Sequence, residues 1–184
     1  MERAELFVRI PKERIGVLIG PNGSVKREIE RRTGTRLLID SDGGEVTIES
    51  AEGGLGSLQA LEVVKAVGRG FSPERAFRLF EEDNYLDIID IRDFVGDSEN
   101  AMQRMRGRVI GERGKIREMI EQMTGAYISV YGKTVSIIGK PEQIKMARTA
   151  VEMLLSGAEH SSVIRFMERE RSKRRSMSAA YRAG

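Results

Sequence analysis

Residues 18–34 read LIGPNGSVKREIERRTG, and residues 109–125 read VIGERGKIREMIEQMTG. At an offset of 91 positions, an aliphatic pair runs into Gly-x-x-Gly, then a charged stretch of helical composition, then Thr-Gly. Gly20 matches Gly111, Gly23 matches Gly114, Ile29 matches Ile120, Thr33 matches Thr124 and Gly34 matches Gly125. A chain that repeats itself in this way builds the same small unit twice. At 184 residues there is room for one or two domains, and the repeat selects two.

The repeat extends beyond the phrase. TRLLID at 35–40 corresponds to AYISVY at 126–131, EVTIES at 45–50 to TVSIIG at 134–139, and ELFVRI at 5–10 to YLDIIDI at 85–91. The second copy carries about ten extra residues between that opening strand and its glycines. Leu6, Val8 and Ile10 alternate, as do Leu37 and Ile39, Val46 and Ile48, Ile128 and Val130, and Val135 and Ile137. A period of two predicts half-buried strands. Asp42 with Gly43 and Gly44, and Tyr131 with Gly132 and Lys133, are turn sequences between paired strands. Leu58, Leu61, Val64 and Val67 recur in three-residue steps, with Val63 widening the face, and Ile144, Ala147, Val151, Leu154 and Leu155 follow a helical period. Both segments predict amphipathic helices, with stops at Gly68 and Gly157. Each copy therefore reads strand, helix, Gly-x-x-Gly turn, helix, strand, strand, helix, which is an α+β unit.

This order, with a GxxG turn between two helices, resembles the eukaryotic-type (type I) KH domain. The resemblance covers roughly residues 5–70 and 84–157. Val109, Ile110 and Gly111, followed by Thr124, Gly125 and Ala126, fit the family pattern VIGxxGxxIxxI…TGA closely. Both copies depart from it at the first apolar position after the loop, which is Lys26 in one and Arg117 in the other. A basic residue there either adjusts the helix packing or adds a phosphate contact. The resemblance implies a three-stranded sheet packed on three helices in each copy. The expected organisation is a first domain at 1–70, a connecting helical segment at 71–83 carrying Phe77, Leu79 and Phe80, a second domain at 84–157, and a basic C-terminal helix and tail at 158–184.

A KH loop holds single-stranded RNA by its backbone over about four nucleotides. Glycine lets main-chain N–H groups approach a phosphodiester that a Cβ would block, and the helix opening behind the loop favours an anion. In copy one the expected RNA-binding residues are Ile19, Gly20, Pro21, Asn22, Gly23, Ser24, Lys26 and Arg27. In copy two they are Arg106, Arg108, Ile110, Gly111, Glu112, Arg113, Gly114, Lys115 and Arg117. An apolar floor for bases is expected from Leu18, Ile19, Leu37 and Ile39, and from Val109, Ile110, Ile128 and Val130. The first loop offers no charge, and Pro21 has no N–H to give. The second offers the Arg113 guanidinium, which makes it the expected stronger grip.

Charge is uneven along the chain. Residues 159–184 hold seven cations against three carboxylates, a balance of +4 that leaves the rest at −1. Lys173, Arg174 and Arg175 are the tail's expected contribution to phosphate attraction, which carries no sequence information. HSSVIRFMERERSKRR reads as a helix and SMSAAYRAG as a frayed end. A surface helix docked through Val163, Ile164 and Phe166, with free charges, is the competing reading. On the expectation that the tail acts only through phosphate, truncation after Gly157 would leave both grooves intact.

There is no cysteine, hence no disulfide and no thiolate metal site. No apolar run approaches membrane-spanning length, and the charged MERAE opening does not read as a signal peptide, so a cytoplasmic protein is expected. His160 is the only histidine and reads as a helix-start residue. Val109 stands where a phosphate-binding P-loop would need its first glycine. Asp87 and Asp90 would fall on opposite faces of a strand, which argues against a metal site and for solvated carboxylates. Neither cofactor, metal nor enzymatic activity is expected.

The tandem architecture, the FVRIPKERIGVLIGPNG opening and the RMRGRVIGERGK run together resemble the archaeal Partner-of-Nob-One family. That resemblance implies binding to small-subunit (16S) ribosomal RNA near its 3′ end and assistance to a separate endonuclease. It also implies protein partners from ribosome assembly or translation. A KH subunit of an RNA-decay or translation complex is the alternative.

Overall fold

The computed structural model describes residues 3–51 and 53–184. Met1, Glu2 and Glu52 lie outside it, and with them the first two residues of the MERAE opening. The chain divides into two units, one running to Leu86 and the other spanning Asp87–Gly184.

Unit one contains β1 (Ala4–Arg9), α1 (Ile15–Ile19), α2 (Ser24–Thr33), β2 (Arg36–Ile39), β3 (Glu45–Ser50), α3 (Leu55–Gly68) and the short α4 (Pro73–Ala76). Its antiparallel sheet has the order β1-β3-β2. The register sets Leu6, Ile48 and Leu37 in one row and Val8, Val46 and Ile39 in the next. The alternating apolar positions thus meet on a single face, and a slip of one residue would turn that whole face to water. Ile15, Leu18, Ile29, Val63, Val64 and Val67 complete the core.

The buried stripe of α3 differs from the expected one. Ala60, Val63, Val64 and Val67 are buried, whereas Leu58 is exposed and Leu61 only half-buried. The cause is the close approach of α3 to the end of α2. A Cβ on Gly56 would lie 2.2 Å from the Thr33 carbonyl oxygen. Small residues at 56, 57 and 60 allow that contact and rotate the larger leucines outward.

The segment after α3 is packed into unit one. Phe71, Ala76 and Leu79 are buried. Arg14 donates to the Val67 and Phe71 carbonyls, each at 2.8 Å, which ties the start of α1 to the end of α3 and the segment after it. The Arg32 guanidinium lies over the rings of Phe80 and Phe77, at 5.0 and 5.8 Å from their centroids.

Unit two repeats the plan with β4 (Tyr85–Asp90, which starts two residues before the division), α5 (Arg92–Val95), α6 (Glu99–Ile110), α7 (Lys115–Thr124), β5 (Tyr127–Tyr131), β6 (Thr134–Gly139) and α8 (Pro141–Leu155). Its sheet has the order β4-β6-β5. The extra residues of this copy form α5 and lengthen α6 relative to α1. Asp87 and Asp90 are not free solvated carboxylates. Asp87 accepts from Arg148 at 2.7 and 2.8 Å, and Asp90 accepts from Arg92 at 2.7 Å.

The basic tail forms one helix, α9 (His160–Ala183), and it continues through the stretch that reads as frayed. Val163 and Met167 enter the core of unit two, with Phe166 packed alongside. Truncation after Gly157 would therefore remove core as well as charge. No described helix is long and apolar enough to cross a membrane.

Candidate nucleic-acid interface

The two GxxG loops share one backbone. The first glycine has φ 73°, ψ 174° at Gly20 and φ 73°, ψ 175° at Gly111. The third residue is left-handed in both, with φ 54°, ψ 28° at Asn22 and φ 55°, ψ 26° at Arg113. The second glycine follows with φ 75° at Gly23 and 76° at Gly114. The chain itself demands the first glycine: a Cβ there would lie 2.4 Å from Val25 Cγ2 in one copy and 2.4 Å from Ile116 Cγ1 in the other. The second is demanded by its dihedral. The glycines of both loops thus serve to turn the chain tightly into α2 and α7. Asparagine accepts the left-handed region readily, while an arginine there carries a strain of about 1–2 kcal/mol.

The apolar residues flanking each loop divide identically in the two copies. Leu18, Leu37, Val109 and Ile128 are core, whereas Ile19, Ile39, Ile110 and Val130 are only partly covered. Of the expected apolar floor, this second set is the part that stays partly open. Beside it stand Gly16 on α1 and Gly107 on α6, which also match at the offset of 91. Both are exposed, and a Cβ added to either meets nothing within 4 Å. A helical glycine costs about 0.5–1 kcal/mol relative to alanine, and no internal packing explains these two. Sequence reasoning missed the pair, although the repeat contained the signal.

Hydrogen bonds sort the cations. The basic residues at the departure position pair with the carboxylates that hold the helix to the sheet. Lys26 pairs with Glu30 at 3.6 Å, and Glu30 accepts the Leu37 N–H at 2.9 Å. Arg117 pairs with Glu121 at 2.5 Å, and Glu121 accepts the Ile128 N–H at 2.9 Å. Of the two alternatives posed by the sequence, helix packing is the one these contacts realise. Arg106 donates to the Gly132 carbonyl at 2.9 Å and pairs with Glu99 at 2.7 Å. Arg108 donates to the Ala158 carbonyl in the link between α8 and α9. On α2, Arg31 and then Arg32 hold the Glu28 carboxyl down at about 2.

Among the described residues, no carboxylate pairs with Arg27, Arg113 or Lys115. Arg27 folds back over Gly23, whose added Cβ would lie 3.0 Å from its Nη1. Pro21, Asn22, Ser24, Glu112, Arg113 and Lys115 are exposed. The second loop therefore presents one cation, Arg113, beside one carboxylate, Glu112, with Lys115 opening α7 behind it, where the first presents no charge within the loop and has Arg27 on α2 behind it. In the tail, Lys173 pairs with Glu170 at 3.1 Å, Arg174 donates to the Glu142 carbonyl, and Arg175 is exposed. A helix turns these three neighbours about 100° apart in succession, so they do not form one patch. Among the described residues, no group of three or more His, Cys, Asp or Glu is placed to hold a metal ion.

Residues 85–172 match the model of the second PNO1 KH domain, described as a eukaryotic type KH-domain (KH-domain type I), and residues 5–60 match the KH domain model. The chain is 48% identical over 170 residues to a KH domain-containing protein of Methanocaldococcus jannaschii, covering 91% of this chain and 74% of that protein. It is similar to the crystal structure of Dim2p from Pyrococcus horikoshii OT3, with a TM-score of 0.84 and 53% identity, over 90% of this chain and 99% of that one. The a/eIF2alpha-aDim2p-rRNA complex from the same organism gives a TM-score of 0.87 and 50% identity, over 93% of this chain and 96% of the matched chain.

Proposed function

The chain belongs to the archaeal Dim2p/PNO1-like family of KH-domain proteins, and from that membership we propose that it is a single-stranded RNA-binding protein of ribosome biogenesis. The observation that carries the reading is the second loop: a KH backbone with Arg113 and Lys115 uncompensated, next to an exposed helical glycine and a partly open apolar floor.

In this reading the RNA is small-subunit (16S) ribosomal RNA near its 3′ end. The phosphodiester approaches the loop along its exposed edge, where Glu112 supplies an N–H that Pro21 lacks. Arg113 forks onto a phosphate, and Lys115 adds a point charge at the opening of α7. Bases lie over Ile110 and Val130, and Gly107 lets one sit against the α6 backbone. Loop one, with Gly20, Asn22, Gly23, Ser24 and Arg27, offers the same frame with less charge and serves as the weaker grip. Ile19 and Gly16 stand there where Ile110 and Gly107 stand in copy two. Lys26, Arg106, Arg108 and Arg117 act by fixing the frame. The protein is non-catalytic, works in the cytoplasm, needs no cofactor, and presents the RNA to a separate endonuclease and to translation or ribosome-assembly proteins.

The test replaces Glu112 and Arg113 together by Asp, and separately Pro21 and Asn22 by Asp. Both pairs place two carboxylates in an exposed loop, but only the first also removes a guanidinium. Affinity for single-stranded RNA covering the 16S 3′ end is expected to fall more in the first variant. Equal losses, or a larger loss at the first loop, would refute the ranking. Failure of the wild-type protein to bind such RNA in preference to duplex would refute the function.

A further inference from the structure

A second cationic surface lies on unit two outside both loops. Ser162, Arg165, Arg169, Ser172 and Lys173 recur along one flank of α9, and with Met153 of α8 and Glu168 they line an open groove of about 810 Å³. The other faces of α9 have other contacts: Val163 and Met167 enter the core, and Arg174 reaches the α8 backbone. Of the groove's charges, three are cations and one, Glu168, is a carboxylate. Arg165 donates only to Ser162, at 3.4 Å, and Arg169 has no carboxylate partner among the described residues. Lys173 pairs with Glu170, but that pair is exposed and such pairs hold weakly.

Arg165, Arg169 and Lys173 follow one another in four-residue steps, a rise of about 6 Å each. Regular spacing along a line suits a regular linear polyanion better than the irregular carboxylates of a folded protein. Arginine forks match phosphate oxygens, and Met153 gives an adaptable apolar contact. α9 also packs against α7, the helix that the second loop opens, so the flank and the loop belong to one packed unit.

We propose that this flank of α9 is a phosphate track for single-stranded RNA, engaged once the strand extends beyond the four or so nucleotides that a KH groove holds. The inference rests on the RNA-binding reading of the second loop. It is tested on the full chain by fluorescence anisotropy over a KCl series, with RNAs of about 4 and about 14 nucleotides sharing one core. The double variant Arg165→Gln with Arg169→Gln is expected to bind the short RNA like wild type. On the long RNA it is expected to lose about tenfold at low salt, with a slope of log K against log salt shallower by about 1.4. The double variant Arg171→Gln with Arg182→Gln, of equal charge change, is expected to stay within about threefold on both RNAs.

Equal losses in the two doubles, an unchanged salt slope, or a loss on the short RNA would overturn the track. So would a polyglutamate of matched charge that displaces the long RNA from wild type but not from the groove variant, which would assign the groove to an acidic protein. If wild type binds neither RNA, the reading of the loops fails first.

Discussion

Arg113 and Asn22 occupy the same left-handed position in two loops of equal shape, and only one of them is at ease there. Replacing Arg113 by Asn is expected to raise stability by about 1 kcal/mol, through relief of backbone strain. The same change is expected to lower RNA affinity about tenfold, through loss of a charged hydrogen bond of about 1.5 kcal/mol or more. The reciprocal change, Asn22→Arg, should destabilise unit one while tightening binding at the first loop. Thermal melts and anisotropy titrations on the same samples check both, and parallel movement of stability and affinity would contradict the argument. Gly16 and Gly107 make a second residue-scale case. Alanine at Gly107 is expected to stabilise α6 by about 0.5–1 kcal/mol and yet weaken RNA binding. A variant that gains stability and keeps full affinity would show that nothing approaches the helix there.

At the scale of elements, the carboxylates that join helix to sheet are the main structural device. Glu121→Ala is expected to destabilise unit two by about 2 kcal/mol, since it strands both Arg117 and the Ile128 N–H. Glu30→Ala should act likewise in unit one. Glu28 gives α2 an acid-sensitive pairing. In the unfolded chain it titrates near 4.5, in the folded chain near 2. Its pairing with Arg31 and Arg32 is therefore fully present above about pH 4.5 and is lost as pH falls through 2. Carboxyl chemical shifts should place the Glu28 midpoint well below the ordinary glutamate range, and Arg31→Gln with Arg32→Gln should return it to that range. These links also mark how far sequence patterns reach. Period two located all three strands of unit one, because one face of that sheet must be dry, and the repeat fixed the loops. The buried stripe of α3 escaped, because leucine spacing says nothing about the Gly56 contact that rotates the helix. The roles of Arg106 and Arg108 escaped too, because a partner 26 or 50 residues away is set by tertiary packing, whereas Lys26 and Arg117 pair only four residues along their own helices.

For the whole molecule, the proposed reading gives one protein two unequal grips and a basic helix, so affinity should depend strongly on salt. Each phosphate neutralised on a single strand contributes about −0.7 to the slope of log K against log salt, and a slope near zero would contradict a backbone-directed grip. Truncation after Gly157 separates charge from packing. Because Val163 and Met167 are core, that truncation is expected to collapse the cooperative melting of unit two, whereas glutamine at the exposed cations of α9 should leave it intact. Losing one buried methionine side chain alone costs about 2–5 kcal/mol. The location of Met167 also has a consequence in time. A ribosome making this chain delivers everything unit one needs by Leu86, but the core of unit two is incomplete until Met167 has been added. At about 5–20 residues per second the interval is roughly 4–16 s. For that interval the nascent chain carries its first GxxG loop in a finished fold and its second in an unfinished one.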